Sequence, residues 1–197
     1  SPNNPSGNAF ELGQLLDVCD RFPGVLVVDE AYVDFSEKGS LAKEAVKRDN
    51  LIVLQTLSKA RAMAGLRIGL AISSAEIIRL MSMVKYPYNL SRAAMEKAMS
   101  FIDKPIDDEV STIVNEKKRL AGILPRYPFI WKVFASDANF RLVRVDDADA
   151  LYAYLLEKGI IVRNRTRVPG CAGCLRLTVG LPSENEALLN ALDRYTV

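Results

Sequence analysis

Residues 50–73, "NLIVLQTLSKARAMAGLRIGLAIS", constrain the fold of this chain more than any other stretch. "LIVLQTL" and "RIGLAIS" each read as a buried strand. Only "SKARAMAGL" separates them, fewer residues than the dozen or more that a parallel crossover needs. The two strands must therefore run antiparallel, which puts Ser58 and Arg67 at one edge of a sheet. Upstream, "GVLVVDEAY" is another buried run, and it closes on an acid, Asp29. If that strand is parallel to "LIVLQTL", Asp29 opens onto the same edge, where open α/β sheets bind ligands.

Around these strands, helical and extended patterns alternate. "SPNNPSG" is turn chemistry, "AFELGQLLDVCDRF" has helical spacing, and "SLAKEAVKRD" is a short amphipathic helix. Continuous Val/Ile/Leu strands alternating with helices fit a sheet covered on both faces. "SAEIIRLMSMVK" is a helix running into a hinge at "YPYNLS". Two further amphipathic helices follow, "SRAAMEKAMSFIDK" and "IDDEVSTIVNEKKRLAGIL". Then come a half-buried strand "NFRLVRV" and a helix "ADALYAYLLEKG" closed by Gly159. The strands "IIVRNRT" and "CLRLTVG" lead to a helix "SENEALLNALDRY" with a capping-box start at Ser183. Trp131, Tyr86 and Tyr88 are expected to pack at the junction of the two halves. The fold class is α/β. Residues 1–90 read as part of a large, mostly parallel sheet domain with flanking helices, and residues 91–197 as a smaller α+β domain.

Composition removes several classes of function. The 197 residues carry a net charge of +2 and no long basic run, which argues against nucleic acid. No apolar stretch has the length of a membrane span, and the first residues lack the layout of a signal peptide. Three cysteines, an odd number, suggest a reducing compartment, and the expected location is the cytoplasm. "CAGC" (Cys171, Cys174) has no second cysteine pair to complete a zinc site and opens a strand rather than a helix, so it reads as a turn of small residues; no metal is expected. The chain has no histidine. That excludes Ser-His and Cys-His hydrolysis and leaves proton transfer near neutral pH to another group, such as a lysine of lowered pKa.

The shared sheet edge offers Asn4, Asp29, Tyr32, Thr56, Ser58, Lys59 and Arg67. A hydroxyl, a guanidinium fork and the N–H groups of a tight connection suit a doubly charged phosphate. Lys59 is the one amine there that could form a Schiff base. A carboxylate at a strand end could pair with a protonated ring nitrogen, and a phenol and an amide could bond a ring oxygen. These groups describe a socket for pyridoxal phosphate. In "IIVRNRTR", alternation puts Arg163, Arg165 and Arg167 on one face, with Arg176 in the next strand. Arginine forks accommodate both carboxylates and phosphate esters.

"SPNNPSGN", "VVDEAYVDF", "TLSKARAMAGLRIGLA" and "GCLRLTVG" together resemble the histidinol-phosphate aminotransferases, fold-type-I enzymes that use pyridoxal phosphate. The resemblance implies that Asn4 and Tyr32 hold the cofactor's ring oxygen and Asp29 its ring nitrogen. Ser58 and Arg67, with Thr56, would hold the phosphate. Lys59 would carry the cofactor and move the substrate's proton. Arg176, with Arg163 near it, would hold the substrate's anionic group. The implied reaction moves an amino group between histidinol phosphate and 2-oxoglutarate or glutamate, in histidine synthesis, by a homodimer. Two other readings stay open: a threonine-phosphate decarboxylase with the same socket, and a non-catalytic module that kept the fold. Relatives carry a substantial N-terminal part ahead of the asparagine motif. The chain is therefore expected to be a fragment, poorly active alone, with a sheet edge and apolar helix faces uncovered.

Overall fold

In the computed structural model, which describes residues 1–196, the chain divides into two compact units. The first comprises residues 1–2 and 9–108, the second residues 3–8 and 109–197.

The first unit is built on a three-stranded sheet in the order β1-β2-β3: β1 (Leu26–Asp29), β2 (Leu51–Thr56) and β3 (Gly69–Ile72). β1 is parallel to β2, with Val28 opposite Val53 and Asp29 opposite Leu54. β3 is antiparallel to β2, with Thr56 opposite Gly69, as the short connection requires. Helix α1 (Leu12–Arg21) presents Leu12, Leu15, Leu16 and Cys19, spaced three and four apart, to the sheet. They meet Val28, Leu51 and Val53, and also Leu41 and Ala45 from the single-turn helix α2 (Ala42–Ala45). Helices α3 (Ala75–Val84) and α4 (Arg92–Ile102) complete the unit. Ala98 of α4 packs on Leu57 and Ile68.

The expected sheet covered on both faces is corrected here. Alternation sends Val28 inward but leaves Val27 51% exposed, and Val25 and Leu70 are exposed as well. The sheet is mixed, and one face of it is covered by the chain's described elements. Exposed apolar side chains also run along α3 and beyond it, at Met83, Val84, Tyr86 and Tyr88. Tyr86, Tyr88 and Trp131, expected to be packed, are each at least 71% exposed.

The second unit holds a four-stranded antiparallel sheet in the order β4-β5-β7-β6. Its strands are β4 (Ile130–Val133), β5 (Phe140–Val145), β6 (Arg163–Asn164) and β7 (Cys174–Thr178). Helices α5 (Asp107–Ile123), α6 (Ala148–Glu157) and α7 (Pro182–Leu192) pack on it through one core that includes Leu120, Val143, Leu155, Leu175 and Leu188. The sequence reading missed β4, whose "IWKV" is short and carries a lysine. It also overextended β6, which ends at Asn164 because the Asn164 side chain accepts the Thr166 N–H at 2.9 Å and starts a turn. Gly159 closes α6 in the left-handed region (φ 75°), where the Ile160 N–H reaches the Leu155 carbonyl at 2.8 Å. α7 starts one residue before Ser183. Pro182 takes the first helical position, and the Glu184 carboxylate accepts the Leu181 N–H at 2.7 Å.

A polar network joins α5 to α7. Glu116 accepts two bonds from the Arg119 guanidinium, both 2.9 Å, and one from the buried Asn185 amide at 2.7 Å. These bonds, that from Arg119 foremost, hold the Glu116 carboxyl below its ordinary range against the opposing effect of burial. A carboxyl with a folded pKa below its unfolded one contributes stability that is fully present above the unfolded value. That contribution is lost as the pH falls through the folded value. Glu116→Gln is therefore expected to flatten the fall in stability between about pH 6 and about pH 3. Urea unfolding followed by circular dichroism at several pH values checks this, and parallel pH profiles for the two proteins would contradict it.

Candidate functional site

The registers of the first sheet bring the C-terminal ends of β1 and β2 and the start of β3 to one edge. Asp29 ends β1 with its carboxylate exposed, and Oδ1 accepts the Ala31 N–H at 2.9 Å. At the end of β2 the Thr56 hydroxyl donates to the Ile68 carbonyl at 3.2 Å and accepts the Ser58 N–H at 3.1 Å. This ties the start of the β2–β3 connection to its end. Ser58 is half-buried, and Lys59 after it is exposed, with Nζ 5.2 Å from the centroid of the buried Tyr32 ring. Asp29, Ala31, Gln55, Thr56 and Gly69 help to line a cavity of about 370 Å³.

The connection holds Ala62 (φ 52°) and Arg67 (φ 55°) in the left-handed region, which disfavours residues with a Cβ. Backbone outliers of this kind cluster at ligand sites, because the surrounding structure must hold them there. The Ala62 N–H bonds the Lys59 carbonyl at 3.0 Å and the Met63 N–H bonds the Leu57 carbonyl at 2.9 Å, so the loop folds tightly around Lys59. Arg67 is exposed and donates within the loop to the Ala64 carbonyl at 3.3 Å. Two residues past Tyr32, burial pushes the Asp34 carboxyl above its ordinary range, against the pull of the Arg61 guanidinium.

In the second unit, Arg176 lies at the centre of β7. Its guanidinium stands over the Phe140 ring, 4.8 Å from the centroid, and Nη1 donates to the Asn4 side-chain oxygen at 2.8 Å. The loop that carries Asn4 is closed by two bonds, Asn3 N–H to Asn8 carbonyl at 2.9 Å and Gly7 N–H to Asn3 carbonyl at 2.8 Å. It docks through the Gly7 carbonyl, which accepts the Asp137 N–H at 2.7 Å. A Cβ on Gly7 would lie 2.5 Å from Ser136 Oγ, so no larger residue fits this approach. Arg163 is exposed on β6 directly opposite Arg176. Like charges facing across strands are unfavourable on their own; an anion between them would reverse the sign. Arg165 and Arg167 do not continue the alternation, because the strand has ended and the Val168 N–H turns back to the Arg165 carbonyl at 2.8 Å.

The structure thus gathers Asp29, Tyr32, Thr56, Ser58, Lys59 and Arg67 within the first unit, and Asn4, Arg163 and Arg176 within the second. Cys171 and Cys174 are buried free thiols across a turn closed by the Cys174 N–H and the Cys171 carbonyl at 3.0 Å.

The family model for aminotransferase class I and II matches residues 1–192. The chain belongs to this family. Among aminotransferases it is 48% identical over 194 residues to the histidinol-phosphate aminotransferase of Parabacteroides distasonis, covering 98% of this chain and 56% of that protein. The chain spans a little over half the length of the curated relatives it matches. The structure of the histidinol-phosphate aminotransferase from Clostridium acetobutylicum superposes with a TM-score of 0.89 at 26% identity, covering 98% of this chain and 61% of that one. That from Sinorhizobium meliloti, solved in complex with pyridoxal-5'-phosphate, gives 0.84 at 25% identity, covering 98% and 55%.

Sequence reasoning missed one neighbour of this sheet edge. The desolvated acid is Glu30, 2% exposed, while Asp29 faces solvent. Glu30 shares the inward face of Val28, two residues before it, a face that the register and not the uniformly apolar run assigns.

A left-handed arginine held for its side chain costs backbone energy that glycine would not. Arg67→Gly should leave the midpoint of thermal unfolding unchanged or raise stability by up to about 1 kcal/mol. A clear loss of stability would show that the Arg67 side chain supports the fold instead.

Proposed function

We propose that the whole protein containing this chain is a pyridoxal-phosphate-dependent aminotransferase. It exchanges an amino group between histidinol phosphate and 2-oxoglutarate or glutamate in histidine synthesis. The observation that carries this reading is the juxtaposition of an exposed amine, Lys59, with a buried phenol, Tyr32, at the sheet edge where the Asp29 carboxylate also opens.

The donor set fits the cofactor. Thr56, Ser58 and Arg67 offer hydroxyls and a guanidinium for its phosphate. Asp29 offers a carboxylate that holds a proton on the ring nitrogen, and Tyr32 and Asn4 offer donors for the ring oxygen. When bound, pyridoxal phosphate supplies an aldehyde carbon and a ring that withdraws electrons from the substrate's α-carbon. Lys59 Nζ would hold the aldehyde carbon until a substrate amine replaces it, and would then be placed to move the proton of the substrate's α-carbon. One amine thereby does what a histidine does elsewhere, which suits a chain without histidine. Arg176, held by Asn4 and Phe140, binds the carboxylate of glutamate or the anionic end of its partner substrate, with Arg163 contributing charge. In the whole protein we take the first sheet to be part of a larger, mostly parallel one, and the assembly to be a cytoplasmic homodimer. The 48% identity to a relative carrying that name favours this reaction over decarboxylation of threonine phosphate.

Product analysis tests the reading. The whole protein with cofactor, 2-oxoglutarate and histidinol phosphate should form glutamate, and Arg176→Ala should lower kcat/KM for glutamate in the reverse direction by about a hundredfold. Carbon dioxide from threonine phosphate, with no glutamate formed, would establish the decarboxylase instead.

A further inference from the structure

Glu30 is the least exposed charged residue of the first unit, and the proposed chemistry leaves it unused. Its carboxylate is fully engaged. Oε1 accepts the Leu41 N–H at 2.7 Å, and Oε2 accepts the Ser40 hydroxyl at 2.5 Å and the Gln55 amide at 2.9 Å. A buried carboxylate with three donors is strongly held, because each bond is charge-assisted in a dry setting. The bonds close a loop. Glu30 stands at its start, one residue past β1, and Ser40 and Leu41 stand at its end, just before α2. Between them lie Ala31 to Gly39, including Tyr32, whose ring faces Lys59 Nζ. The third bond, to Gln55, anchors the same carboxylate to β2 one residue before Thr56.

We propose that Glu30 is a positioning residue that fixes Tyr32 against Lys59 by closing the 31–39 loop, and so sets the affinity of the cofactor that those two residues hold. This rests on the reading of the site given above. Glu30→Gln keeps the size of the side chain. It removes the charge and turns an amide NH₂ toward Gln55 Nε2, another donor, so the closure loosens. Ser40→Ala removes one donor and leaves the carboxylate paired with the other two. An acid that merely stabilised the fold would act independently of the Tyr32 hydroxyl. An acid that acts through Tyr32 must couple to it.

The test is a double-mutant cycle on cofactor affinity in the whole protein, with pyridoxal phosphate titrated by its visible absorption. Glu30→Gln and Tyr32→Phe are each expected to weaken binding about tenfold, and the double variant about as much as either alone. Ser40→Ala should give a smaller loss that likewise vanishes in the Tyr32→Phe background, which keeps the test decisive if Glu30→Gln folds poorly. Hydrogen exchange on the cofactor-free protein should show faster exchange between residues 31 and 41 in Glu30→Gln. Multiplying losses in the double variant, near a hundredfold, would overturn the inference and leave the proposed function standing. So would a Tyr32→Phe variant that binds like the parent. If the parent protein bound no pyridoxal phosphate at all, the proposed function would fall, and this inference with it.

Discussion

The parallel register of β1 on β2 decides what kind of edge this sheet presents. Opposite Val53 stands Val28, so Val28 and Glu30 face inward while Val27 and Asp29 face outward. A slip of one residue would exchange the two sets. Asp29 would then be buried where Glu30 finds three donors, and Glu30 would carry the longer side chain out to the ligand edge. Two adjacent acids with opposite duties are possible because successive side chains of a strand point to opposite faces. The register in turn rests on Leu51, Val53 and Val28 meeting Leu12, Leu16 and Cys19 of α1, a contact that only one pairing satisfies.

A second constraint acts where β2 leaves the sheet, at the same edge as Asp29. The connection to β3 is too short to cross over, so it must fold back on itself, and it does so through two left-handed residues without glycine's freedom. Lys59 and Arg67 therefore sit on a loop that is bonded at its base by Thr56 and strained near its end. A rigid loop loses little freedom when it receives a ligand, which favours binding by lowering the cost of ordering. The second unit follows the same logic with different parts. Arg176 is fixed by the Phe140 ring beneath it and the Asn4 amide beside it, so its remaining N–H groups are held in place before any anion arrives.

Much of this was readable from residues alone. The antiparallel β2–β3 pair followed from loop length, and the placing of Asp29, Ser58, Lys59 and Arg67 at one edge followed from strand ends. What escaped has physical causes. β4 was missed because a four-residue strand with an exposed tryptophan and lysine lacks an apolar run. β6 was overdrawn because β-branched residues before Arg163 look extended whether or not they pair, and the Asn164 turn leaves only one further bond to β7, from the Arg165 N–H to the Cys174 carbonyl at 2.9 Å. Glu30 was missed because an apolar run followed by two acids does not say which acid is buried; only the register does. The bond between Arg176 and Asn4 joins residues 172 positions apart, a distance over which periodicity carries no information.

We propose that a single amine at this edge, that of Lys59, receives the cofactor's aldehyde. Reduction of the pyridoxal-phosphate-loaded protein with borohydride, followed by peptide mass mapping, tests it most directly. A covalent pyridoxyl label confined to the peptide containing Lys59, and absent in Lys59→Ala, is expected. A label on another lysine, or no label on a protein saturated with the coenzyme, would contradict it.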